Sequence, residues 1–201
     1  MKKFLTLIIS LIIINSSYSQ EIDKVVDDIY IESIKVLSSN SKVKKAFNYI
    51  IDIEQKTMKN LIELTEIEAP PFKEENRAIE FANRLKLAGI ENVKIDSVGN
   101  VIGFLKGTVG DKNIAIDAHI DTVFPEGTDV KVRVKNDTLF APGVGDDTRG
   151  LAMILTIAET IKKNDIKPID NILFIGTVGE EGLGDLRGVR YLFKNNNPKI
   201  D

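Results

Sequence analysis

Chemistry in this sequence gathers in three short stretches. The chain's one histidine, His119, closes an apolar run through Ile114, Ala115 and Ile116, and Asp121 follows two residues on. At a strand end, an imidazole and a carboxylate at that spacing suit a metal ligand and the group that orients it. The second stretch is Gly143-Val144-Gly145-Asp146-Asp147, in which a glycine loop can turn the Asp146 carboxylate inward to bridge two ions. The third is Gly179-Glu180-Glu181-Gly182. Adjacent side chains on an extended backbone point opposite ways, so these glutamates share a site only if the chain turns between them. With that turn, Glu181 binds metal and Glu180 takes a proton from an attacking water. The competing reading is that a lone histidine, scattered acids and paired glutamates are ordinary surface chemistry. Three acidic clusters in glycine loops after strands, all in one chain, weigh against it.

The elements that must position these stretches follow from apolar periodicity. Helical spacing covers residues 21–37, then 43–67 up to the break at Ala69-Pro70-Pro71, then 73–88 with Gly89 as its C-terminal cap. Strands are expected at 93–95, 98–105, 113–118 and 171–178, and a hairpin at 130–140 turning at Asn136-Asp137. Helices are expected at 150–161 and 186–193. The basic residues of the hairpin, Lys131, Arg133 and Lys135, read as a solvated outer face. Strands separated by helices predict an α/β fold with a mixed, mainly parallel sheet flanked by helices. Ligands of such sheets collect beyond the strand C-terminal ends, where His119, Asp121 and the glutamate pair fall.

A net charge of −3 gives no basic field for nucleic acid, and the absence of cysteine leaves only nitrogen and oxygen ligands for a metal. The Pro142–Asp147 loop lacks the pattern of a phosphate-binding loop. Lys2 and Lys3, the apolar run Phe4–Ile14 and the small residues Ser17 and Ser19 form a signal peptide over residues 1–19. The run is too short to span a bilayer, which takes about 20 residues. Cleavage near Ser19 would release residues 20–201 as a secreted or periplasmic protein without a stable membrane anchor.

The segments HID (119–121), APGVGDD (141–147) and TVGEEGLGDLRG (177–188) resemble the M20 family of dinuclear zinc peptidases, glutamate carboxypeptidase-like and tripeptidase-like enzymes among them. The likeness covers roughly residues 55–201. It implies two zinc ions, with His119 a terminal ligand, Asp146 the bridge and Glu181 a ligand of the other ion. It also implies Asp121 as the carboxylate behind His119, Asp147 as a non-ligand, and Glu180 as the general base. The implied reaction is hydrolysis of an amide or peptide bond in a small peptide or N-acyl amino acid. Family members are longer and carry further ligands, a second histidine and a smaller lid and dimerisation domain. The expectation is therefore an N-terminal portion of the catalytic domain, weakly active or inactive alone, with a homodimer only where that domain is present. The alternative is a non-catalytic metal-binding or interaction module.

Overall fold

The computed structural model describes residues 28–195 and 198–201. The signal peptide and cleavage site expected from the sequence lie outside these residues. Helix α1 (Asp28–Ser39) belongs to a unit of its own, and its apolar residues, Ile29, Ile34 and Leu37 among them, are exposed. Among the described residues, no helix is long and apolar enough to cross a membrane.

The unit Asn40–Asp201 holds the remaining elements. These are α2 (Ser41–Asp52), α3 (Glu54–Thr65), α4 (Glu75–Leu87), β1 (Asn92–Ile95), β2 (Val101–Leu105), β3 (Asn113–His119), β4 (Arg133–Lys135), β5 (Thr138–Phe140), α5 (Thr148–Lys163), β6 (Asn171–Thr177) and α6 (Arg187–Asn195). The apolar period expected over 43–67 runs through α2 and α3, but Ile53 breaks it into two helices. Its φ of −97° and ψ of 13° leave the helical region. Side-chain spacing carries no signal for that kink. Asn40 caps α2 by accepting from the Lys42 amide at 2.8 Å.

The main sheet has the order β1-β2-β6-β3. It is mixed, but β1–β2 and β2–β6 are antiparallel and only β6–β3 is parallel. The expectation of a mainly parallel sheet is therefore corrected. A parallel neighbour needs a long crossover, normally a helix. Only the β3-α5-β6 segment supplies one; the β1–β2 link is a tight turn. The Asp96 carboxylate makes that turn by accepting from the Val98, Gly99 and Asn100 amides, each at 3.0 Å. It also delays β2 to Val101, later than the Val98 start expected from apolar content.

Central β6 is buried along most of its length, which explains its unbroken apolar run. One face packs Phe81 and Leu85 of α4, Leu64 of α3, and Leu151, Leu155 and Ala158 of α5 against Val101, Ile120 and Phe174. On the other face Leu192 of α6 covers Ile102, Leu173 and Ile175. The β4–β5 ribbon is separate, and its turn residue Asn136 takes a left-handed φ of 53°. Lys131 reaches Glu66 at 3.0 Å and Arg133 reaches Asp129 at 2.5 Å, so two of the three basic residues are already paired.

Candidate metal centre

The one parallel pairing puts the chemistry in one place. β3 and β6 run side by side with His119 opposite Thr177, so the residues that follow each strand emerge at the same sheet end. Asp121 is fully buried there. Its two carboxylate oxygens accept from the Glu180 and Glu181 amides, each at 2.9 Å. The strand-to-loop turn that brings both glutamates to the site is therefore fastened to Asp121. Gly179, with a φ of +63°, starts the turn.

From the sequence, Asp121 is expected to accept from His119 or to support its backbone and so fix the ring. The His119 Nδ1–H donates to the Asp121 main-chain carbonyl at 2.9 Å, while Nδ1 stands 3.8 Å from Oδ1. Both carboxylate oxygens are committed to the glutamate turn. With Nδ1 as donor, Nε2 is left to face the cluster, carrying either a proton or a lone pair for a metal. It faces Asp146 Oδ1 at 2.8 Å.

Asp146 reaches that position from the Gly143–Gly145 loop. Gly143 has a φ of +75°, and its carbonyl accepts from the Thr148 hydroxyl at 2.8 Å. The Asp146–Asp147 peptide is cis. Asp147 is turned away from the cluster. It accepts from the His119 amide at 3.2 Å and caps α5 through the Gly150 amide at 3.0 Å. Ligand atoms of His119, Asp146 and Glu181 all lie within 4.8 Å of one another. Asp121 lies behind this group, and Glu180, partly buried, stands next to Glu181 in the chain.

The electrostatics mark the group as short of positive charge. Burial disfavours a charged His119 ring. The Asp146 contact, the Asp121 carbonyl and the Asp121 and Asp147 charges outweigh it, so the pKa lies above the usual imidazole value. Desolvation raises Glu181, and the neighbouring Glu180 and Asp146 charges raise it further. A lone pair facing a carboxylate oxygen at hydrogen-bond distance needs a cation between them, either a proton or a metal. The donor set therefore fits a divalent ion taken by nitrogen and oxygen ligands.

Residues 115–201 match peptidase family M20/M25/M40. This portion of the chain is homologous to M20-family peptidases. Carboxypeptidase G2 of Pseudomonas sp. (strain RS-16) is 33% identical over 84 residues, 41% of this chain and 20% of that protein. The solved structure of aminopeptidase PepT from Bacillus cereus ATCC 10987 shares 26% identity at a TM-score of 0.55, covering 64% of this chain and 37% of that one. The yeast (Saccharomyces cerevisiae) dipeptidase Dug1p aligns at a TM-score of 0.63 and 15% identity over 79% of this chain and 39% of that one, which shows a shared fold. The chain thus spans between a fifth and two fifths of these proteins.

Three residues around the cluster escaped the sequence reading. Arg77 is wholly buried and donates to the Ile120 carbonyl at 2.7 Å and, through Nε, to the Ile67 carbonyl at 2.9 Å. Burial pulls its pKa down to about 10 against the opposing charge of Asp121. An arginine one helical turn before Phe81, on the apolar side of α4, was the available signal. Asn100 is also buried. Its Oδ1 accepts from the Val178 amide at 3.1 Å and its Nδ2 donates to the Gly188 carbonyl at 3.1 Å. Asp117 shares the His119 side of β3, and burial raises its pKa to about 6 although it accepts from the Thr177 hydroxyl at 3.1 Å. An apolar groove of about 550 Å³, lined by Ile50, Ile51, Met58, Met153 and Ile157 among others, holds none of the three ligand candidates.

Proposed function

We propose that the whole protein is a metal-dependent hydrolase that cuts an amide or peptide bond in a small peptide or N-acyl amino acid. The observation that carries this is His119 Nε2 facing Asp146 Oδ1 at 2.8 Å, with Glu181 in the same cluster. His119, Asp146 and Glu181 would hold zinc, and Asp146 would be shared where two ions bind. The metal's contribution when bound is to polarise the scissile carbonyl and acidify water. The chain supplies the rest. Asp121 holds the Glu180–Glu181 turn in place and fixes His119 through its carbonyl. Glu180 accepts a proton at its carboxylate and returns it to the leaving nitrogen. The homology to M20 peptidases supports this reading.

The test is zinc binding by calorimetry with a panel of dipeptides and N-acyl amino acids, run on the intact protein. Glu180→Gln should keep zinc and lose turnover, and His119→Ala should lose zinc. Turnover that survives exhaustive chelation would sink the mechanism. A second reading is a non-catalytic metal-binding or interaction module, since the grouped His119, Asp146 and Glu181 can hold an ion without turnover. Tight zinc binding without any turnover would select it. We further propose that residues 1–19 direct export and that residues 20–201 are part of a longer catalytic domain. N-terminal sequencing from the native host should begin at Gln20; an intact Met1 would refute export.

A further inference from the structure

The cavity of about 580 Å³ behind the glutamate turn contains an arginine that the proposed chemistry does not use. The Arg187 guanidinium stacks 4.6 Å above the centroid of the Phe72 ring and donates to Glu74 Oε1 at 2.9 Å. Glu74 is itself buried, so this pair is shielded from water and screened little by salt. The other side of Arg187 meets the turn. A Cβ placed on Gly179 would lie 3.3 Å from Arg187 Nη1, and the Arg187 amide donates to the Gly179 carbonyl at 3.0 Å. Nη1 is buried without a hydrogen-bond partner. Leaving a charged donor unmatched is costly, so some other demand keeps the guanidinium there. The contacts identify that demand: the flat guanidinium stacks on Phe72, pairs with Glu74 and lies against the glycine backbone at the same time.

We propose that Arg187 is a positioning residue for Glu180 and Glu181, clamping their turn through Gly179 while Asp121 holds its amides. A turn held on one side only would let the two carboxylates wander relative to His119 and Asp146. The functional meaning of the clamp rests on the metal-hydrolase reading above, but the clamp itself is a property of the metal-free chain.

The test is therefore amide hydrogen exchange on the metal-free full chain, followed by zinc affinity. Arg187→Met should speed exchange across residues 179–184 by about tenfold while leaving β6 residues 171–176 unchanged. Arg187→Lys, which keeps the charge but not the plane, should fall between. Phe72→Leu, which removes only the stacking ring, should move exchange in the same direction and covers the case in which Arg187→Met fails to fold. Zinc affinity should drop about tenfold in Arg187→Met. Lys56→Met should lower melting temperature without touching either readout, because its 2.6 Å pairing with Glu159 lies elsewhere. Unchanged exchange at 179–184 in Arg187→Met and Phe72→Leu, or equal loss across β6, would overturn the proposal. A parent chain that shows the protection but binds no zinc would overturn the metal reading and leave the clamp standing.

Discussion

Asp121 is the residue on which the site turns, because each of its oxygens has a separate task. Asparagine in its place would keep the size and put an NH2 against one of the Glu180 and Glu181 amides. It would also leave Arg77 without its opposing charge. Asp121→Asn should therefore destabilise the chain by about 3 kcal/mol and weaken zinc binding by at least about tenfold; denaturant melts and calorimetry read both. Asp117 offers the opposite sign. Its carboxyl is raised to about 6 in the folded chain, so folding favours the protonated form. Stability from that preference is full below about 3.9, the unfolded value, and is lost as pH rises through about 6. Asp117→Asn should raise the melting temperature at pH 7 and leave it unchanged at pH 3. Equal melting temperatures at pH 7 would count against the burial argument.

At the scale of elements, the site depends on junctions rather than on any one helix or strand. Asn100 joins the start of β2, the end of β6 and the start of α6. Asn100→Ala would leave the Val178 amide buried without its partner, at about 1–3 kcal/mol, and remove the side-chain donor to the Gly188 carbonyl. Because Gly179 follows directly, zinc affinity should fall along with stability. Leu155 of α5 makes the comparison: Leu155→Ala should cost about 2–5 kcal/mol through a core cavity. It lies a full two turns from the Asp147 cap, so its zinc affinity should stay near that of the parent once folded. Chemical denaturation paired with zinc titration separates the two outcomes.

Across the whole molecule, the exposed feature with consequences is the outer edge of β3. Asp201 reaches this edge, where its amide donates to the Asn113 carbonyl at 3.0 Å. Among the described residues, no strand pairs with the rest of that edge. Unpaired strand edges template association. The 201-residue chain on its own should therefore self-associate with rising concentration, and Ile114→Lys, at a half-exposed position near the edge, should suppress it. Sedimentation velocity across a concentration series would decide; a monomer at every concentration would refute the idea.

The grouped candidates His119, Asp146 and Glu181 and most elements were legible in the sequence because they depend on local order. An imidazole after an apolar run, an aspartate after glycines and two glutamates after a buried strand announce themselves through spacing alone. Helix and strand periods did the same for α4, α5 and β6. Pairing direction is not local. Alternating strands and helices read as a parallel sheet, yet only β3-α5-β6 carries a crossover, and two of the three pairings in the main sheet came out antiparallel. Nor could spacing reveal which groups Arg77 and the partly buried Arg187 meet, or that Asp121 grips amides 59 and 60 residues away. Burying a charge depends on which distant groups the fold brings to meet it, and that was decided only when β3 and β6 lay side by side.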